Sequence, residues 1–112
     1  METDKTELTW WAKIYIAGSI EMAKVILRRE CLKIGLCVTI EPTTFIYTGG
    51  EEEGYVVGLV NYPRFPSSRE QIDTRAIDLA RKLRDETFQQ SVMIMSPEVT
   101  KWLSVRPENA VK

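Results

Sequence analysis

Histidine is missing altogether from this 112-residue chain. Imidazole is the commonest general base and metal ligand near neutral pH, so its absence removes the Ser-His-acid and Cys-His arrangements and most zinc or iron sites. Cysteine is scarce: only Cys31 and Cys37 occur. They are expected to be reduced thiols in a cytoplasmic protein, each packing as a small apolar residue. No apolar run is long enough to span a bilayer. The segment Met1 to Glu7 is polar and acidic, unlike a signal peptide. Neither sign of charge is in excess: 15 basic against 16 acidic residues leave −1. A near-neutral chain lacks the positive field that holds nucleic-acid polymers. These absences predict a binding protein rather than an enzyme, with no catalytic residues, no metal and no cofactor.

What is present describes one ordinary domain. Apolar residues make up 44% and charged residues 28% of the chain, enough for a core without metal or disulfide staples. After a loose leader over 1–9, Trp10 to Ala17 alternates: Trp10, Ala12, Ile14 and Ile16 share one face, Trp11, Lys13, Tyr15 and Ala17 the other. That period predicts a strand. Gly18 breaks it, and Ser19 is an N-cap with Glu21 in the favoured first turn. A helix is predicted from Ile20 to Lys33, with Ile20, Ala23, Leu27, Cys31 and Ile34 facing inward and Arg28, Arg29, Glu30 and Lys33 in water. Gly35 fits the left-handed residue that ends it. Leu36 to Glu41 reads as a strand, interrupted by Pro42 at a bulge or edge, and resumes over Thr43 to Thr48. Gly49 to Gly54, with three glutamates, reads as a solvated loop, and Tyr55 to Asn61 as the returning strand. Ser67-Ser68-Arg69-Glu70 forms a capping box with Ser67 as N-cap. It opens a second helix to Thr87 with the stripe Ile72, Ala76, Leu79, Ala80 and Leu83. Strands over Ser91 to Met95 and Thr100 to Val105 close a domain spanning 10–105. A polar tail covers 106–112.

The order is β-α-β-β-α-β, a ferredoxin-like split arrangement of the α+β class. It predicts one antiparallel sheet, both helices on one face and an extra short C-terminal strand. The other face carries Trp11 and Tyr15, and an exposed aromatic patch marks an interaction site. Self-association is expected there, most simply as a symmetric dimer.

Three segments could carry recognition chemistry. The turn Tyr15 to Ile20 could hold a phosphate at a helix start, but a glycine turn with a serine cap is the plainer reading. Phe45-Ile46-Tyr47-Thr48-Gly49-Gly50 offers stacking rings, a hydroxyl and backbone that a ligand can approach, and it reads equally as a hairpin tip. Asn61-Tyr62-Pro63-Arg64-Phe65-Pro66 is the most informative stretch. An amide, a guanidinium and aromatic rings sit in a loop that two prolines stiffen before any ligand arrives. The expected ligand-binding set is Phe45, Tyr47, Thr48, Gly49, Gly50, Asn61, Tyr62, Arg64 and Phe65. Glu51-Glu52-Glu53 reads as a solvated tip rather than a cation site.

The stretch Ile14-Tyr15-Ile16-Ala17-Gly18 resembles the opening of nucleoside deoxyribosyltransferases. Taken with Gly35-Leu36-Cys37-Val38-Thr39, Phe45 to Gly50, Asn61 to Pro66 and Thr100 to Ser104, it also resembles a family of small phage and prophage proteins. Small phage proteins of this size are similar to the sponges that sequester nucleotide immune signals, such as the cyclic dinucleotides of CBASS or the ADP-ribose products of Thoeris. That resemblance implies a small anionic nucleotide ligand, a homo-oligomer in the host bacterial cytoplasm, and binding without cleavage. The alternatives are a protein-protein inhibitor acting through the open sheet face and a deoxyribosyltransferase-like enzyme.

Overall fold

The computed structural model describes residues 1–107, so most of the expected polar tail lies outside the described residues. Seven elements follow one another: β1 (Trp11–Ala17), α1 (Ile20–Ile34), β2 (Thr39–Tyr47), β3 (Gly50–Val60), α2 (Arg69–Glu86), β4 (Ser91–Met95) and β5 (Thr100–Ser104). The strands form one sheet in the order β2-β3-β1-β4-β5, with every pairing antiparallel. This is the split β-α-β-β-α-β arrangement with β5 added beside β4, as the sequence predicts.

The alternation along β1 decides which face is covered. Ala12, Ile14 and Ile16 join Tyr55, Val57 and Leu59 of β3 and Val92 and Ile94 of β4 in a single buried cluster. Ala23, Ile26 and Leu27 of α1 and Ile72, Ala76, Leu79, Ala80 and Leu83 of α2 complete it. Both helices therefore cover one face, and the residues between these on each strand stay on the open one. Trp11, Lys13 and Tyr15 lie there, level with Val60, Gly58 and Val56 of β3, and Met93 pairs with Trp102 on the far side. Trp102 is 58% exposed and Tyr47 53%.

The helix ends follow local chemistry. Ser19 accepts from the Met22 N–H at 3.3 Å, and Gly35 ends α1 at φ 63°, ψ 51°. The second cap falls one residue later than predicted. Ser68, not Ser67, is the N-cap; it accepts from Gln71 N–H at 3.1 Å, and Gln71 Oε1 accepts from Ser68 N–H at 2.9 Å. Ser67 is committed elsewhere: its carbonyl accepts from Trp10 Nε1 at 2.9 Å and its hydroxyl from Arg75 Nη1 at 2.8 Å.

Two strand expectations also need correction. β2 runs unbroken through Pro42, which an edge strand tolerates because a free N–H is not needed on its outer side. Glu51 to Glu53 are strand rather than loop, since a Thr48-Gly49 turn with Gly49 at φ 93° closes the hairpin at once. β1 pairs with β3 only as far as Gly54. Beyond that point the β2–β3 hairpin stands as a two-stranded arm.

Glu30 departs furthest from its expected place in water. Its side chain is 2% exposed and faces α2, where Lys82 Nζ donates to Oε1 at 2.6 Å and Arg29 Nε to Oε2 at 2.9 Å. Arg29 forks onto Glu86 at 2.8 and 2.6 Å, so the two helices are joined through ions as well as apolar contact. The Lys82 hydrogen bond, then that of Arg29, holds the Glu30 carboxyl down to about 2 from an ordinary 4.5, against the opposing effect of burial. A folded-state value below the unfolded one stabilises the fold fully above about pH 4.5; the contribution disappears as pH falls towards 2. Glu30→Gln is expected to cost about 2 kcal/mol at pH 7, less than for a fully enclosed pair because its cations still reach water. Urea titrations across pH 2 to 7 should show a shallower acid loss for the variant than for the wild type; parallel curves would refute the assignment.

Candidate ligand groove

Asn61, the residue after β3, is 4% exposed. Its N–H donates to Trp10 O at 3.0 Å and its Nδ2 to Leu8 O at 2.8 Å, while its Oδ1 accepts from Ser67 N–H at 2.9 Å. One amide thus ties the leader, the end of β3 and the approach to α2 together. The amide is used up inside the protein and does not face a ligand.

Between these anchors the chain makes a tight turn, with Phe65 N–H on Tyr62 O at 2.9 Å. The Tyr62 and Phe65 rings lie 6.1 Å apart at 30°, and the Arg64 guanidinium sits 5.3 Å from the Phe65 ring centre. Such pairs add modest attraction to a turn that Pro63 and Pro66 already stiffen. The proline reading of this loop and the structure agree on rigidity, although the three polar side chains do not converge. Arg64 lines a separate hollow of about 650 Å³ with Thr3, Lys5, Tyr62 and Pro63.

The rings instead wall a groove of about 450 Å³. Its floor and far side come from Ser67, Ile72 and Arg75 near the start of α2, and from Gly35, Leu36 and Cys37 in the link between α1 and β2. This volume suits a drug-sized or nucleoside-sized molecule, for which pockets run from roughly 300 to 1,000 Å³. Arg75 is the charged residue of the lining, and no carboxylate lies in it. Arg75 makes no ion pair among the described residues; its recorded partner is the Ser67 hydroxyl. A half-buried guanidinium with donors to spare favours a carboxylate or phosphate oxygen. Past Cys37 the groove opens onto a second hollow of about 480 Å³ on the open sheet face, lined by Trp11, Lys13, Gly58 and Tyr62 among others.

The remaining expected ligand residues lie elsewhere. Phe45, Tyr47, Thr48, Gly49 and Gly50 belong to the arm, at the opposite end of β3. The ten residues 51–60 separate the two sets, a span of roughly 33 Å at about 3.3 Å per residue. The Phe45 ring lies over Gly54, where an added Cβ would come within 2.5 Å of it. One copy of the chain therefore brings Tyr62 and Phe65 to the groove and leaves the hairpin set apart. The turn after β1 has Gly18 at φ 124° and the Ser19 cap, as in the plainer reading.

Sequence reasoning missed Arg75, Ser67 as a groove hydroxyl, and Cys37. Arg75 is one of several charged residues along α2, and no local signal marks it; in the structure it donates to the Ser67 hydroxyl.

No protein-family model matches the chain, and no curated protein matches it either. Two solved structures share its architecture. A phage SAM lyase in complex with S-methyl-5'-thioadenosine superposes with a TM-score of 0.77 at 13% identity, over 94% of this chain and 96% of that one. A phage SAM lyase in the apo state gives 0.58 at 20% identity, over 88% and 90%. At these identities the likeness is one of fold. It nevertheless overturns the expectation of a non-enzyme that sequesters a ligand without cleaving it. Both of these solved chains are SAM lyases, and nothing in either comparison supports a sponge for cyclic nucleotides.

Asn61→Ala leaves the Ser67 N–H and the Leu8 carbonyl without their partner, and is expected to cost about 2 kcal/mol. Chemical denaturation measures that loss. Limited proteolysis should also cut first between Leu8 and Ser67, and an unchanged digestion pattern would count against the clamp.

Proposed function

We propose that the protein is a lyase acting on a sulfonium nucleoside of the S-adenosylmethionine class. The observation that carries this reading is the groove, where the paired rings of Tyr62 and Phe65 face an arginine free of carboxylate partners. A purine and a sulfonium both suit aromatic faces, the first by stacking and the second by cation–π attraction. The amino-acid end of such a molecule ends in a carboxylate, which Arg75 can fork, with Ser67 holding the guanidinium in place. The solved fold neighbours narrow the chemistry to this class.

The reaction also answers the absence of histidine. S-methyl-5'-thioadenosine retains the methyl and adenosyl groups, so the bond that breaks to form it joins sulfur to the amino-acid carbon chain. Its electron pair goes to sulfur and a neutral thioether leaves, while the substrate's own carboxylate oxygen bonds to the vacated carbon and closes a lactone, so neither an outside nucleophile nor a base is consumed. No proton has to reach the leaving group, so a general acid has nothing to do there. Positive charge disappears as the bond breaks. A groove with one arginine and no carboxylate does not stabilise the sulfonium ground state electrostatically, and that favours the charge-depleted transition state. The protein's part is positioning: rings against the purine, Arg75 on the carboxylate, and a wall that limits water.

Two further points belong to this reading. The phage source of the fold neighbours agrees with the sequence resemblance to small phage proteins. The open face supports self-association: Tyr47 and Trp102 are more than half exposed in one copy, with Trp11 and Tyr15 part-buried between them, and a second copy could carry the Phe45 to Gly50 arm towards the groove.

Incubation of the purified chain with S-adenosylmethionine should yield S-methyl-5'-thioadenosine by liquid chromatography and mass spectrometry. Arg75→Met is expected to lower kcat/KM by roughly tenfold to a hundredfold, mostly through KM, as for the loss of one charge-assisted hydrogen bond. Intact substrate after prolonged incubation would refute the reading.

A further inference from the structure

A third hollow, of about 450 Å³, lies between α1 and the chain entering β2, and it holds both thiols of the protein. Its lining includes Lys24, Arg28, Cys31, Leu36 and Cys37. The end of α1 brings the two cysteines together. Gly35 turns the chain back in the left-handed region, and the N–H groups of Gly35 and Leu36 both donate to the Cys31 carbonyl, at 2.9 and 3.2 Å. Cys37 follows at once and so returns beside the helical turn that carries Cys31. The two sulfurs also sense each other: the Cys31 thiol is pushed up first by burial and next by Cys37. Cys31 is half-buried and Cys37 exposed, and neither is in a disulfide. Cys37 lines this hollow, the ligand groove and the hollow on the open sheet face.

We propose that Cys37 and Cys31 form an oxidant-sensitive dithiol, which a hydroperoxide converts to an intramolecular disulfide that reshapes the ligand groove. Cys37 is the attacking sulfur, because it is the exposed one of the pair and lines a hollow that a hydroperoxide can enter. Its attack on a peroxide oxygen breaks the O–O bond and gives a sulfenic acid; with hydrogen peroxide the other oxygen leaves as hydroxide and becomes water. The Cys31 sulfur then attacks the Cys37 sulfur, the S–O bond breaks and a second water leaves. Two thiols and one hydrogen peroxide thus become one disulfide and two waters. A disulfide needs Cα atoms roughly 4.4–6.8 Å apart, and the thiols on either side of the Gly35 reversal line the same hollow. The bond fixes residue 37 to α1 and so shifts one wall of the groove relative to Tyr62 and Arg75.

The test uses the full chain with a modest excess of hydrogen peroxide. Free thiols should fall from two to none, with an intact mass lower by about 2 Da, and dithiothreitol should restore both. Cys37→Ser should keep its remaining thiol under the same dose. A wild-type chain that keeps both thiols, gains only oxygen mass, or forms only disulfide-linked dimers would overturn the proposal. The link to the groove rests on the lyase reading and is read separately. Oxidation should lower the cleavage rate several-fold, reversibly with dithiothreitol. An unchanged rate with the disulfide formed overturns that link, whereas a reduced protein without activity counts against the lyase reading and leaves the thiol and mass measurements to decide the dithiol.

Discussion

The buried amide of Asn61 is the constraint on which the groove depends. The stretch of Leu8 and Trp10, some fifty residues earlier, and Ser67 at the approach to α2 converge on its backbone and side chain. In a dry setting each of these bonds fixes a position, because leaving any of the groups unpaired would be costly. With Ser67 held, its carbonyl and hydroxyl orient Trp10 and Arg75. With both ends of the loop held, Pro63 and Pro66 leave the intervening turn little freedom, and the Tyr62 and Phe65 rings are presented in one arrangement. The groove is thus set by a polar network rather than by the apolar core, which lies on the other side of α2's buried stripe.

That network also explains which polar residues are available for chemistry and which are not. Asn61 has all its hydrogen-bonding capacity turned inward, and Glu30 is spent on Lys82 and Arg29. Arg75 is left with one neutral partner. The chain places its acids away from the groove: at the α1–α2 junction, along the arm from Glu51 to Glu53, and on exposed helix faces. An unopposed cation between aromatic walls suits a molecule with both an aromatic body and an anionic end. It is indifferent to proton transfer, which agrees with a chain that lacks histidine and with a reaction whose leaving group departs as a neutral thioether.

The fold was legible where local period and covalent chemistry speak alone. The alternation of Trp10 to Ala17, the stripe from Ile72 to Leu83 and the Gly35 stop each appear where the sequence places them. The topology follows from their order. What escaped was decided by contacts between distant segments. Ser67 and Ser68 are equally good caps by sequence, and only the long-range demands on Ser67 choose between them. Glu30 reads as a wet helix residue because its neutralising lysine is 52 positions away. Pro42 does signal the edge position that β2 takes, but nothing local shows that the strand runs on through it. The groove suffered most, since its lining is gathered from the link between α1 and β2, the end of β3, the proline loop and α2, and no local pattern announces that these meet.

The same reasoning shows why absence of histidine was a poor guide to function. It excludes mechanisms that move protons through imidazole, and those are common enough that their exclusion resembles the exclusion of catalysis. Bond cleavage at a sulfonium needs no such group, because the substrate brings its own leaving-group activation as a formal positive charge. For such a substrate the protein need only bind both ends, keep water back and withhold a compensating carboxylate. A chain of this size can meet those demands with two rings, one arginine and a stiff loop, all of which the sequence contains; the arginine became visible only when the fold set it beside Ser67 in the groove lining.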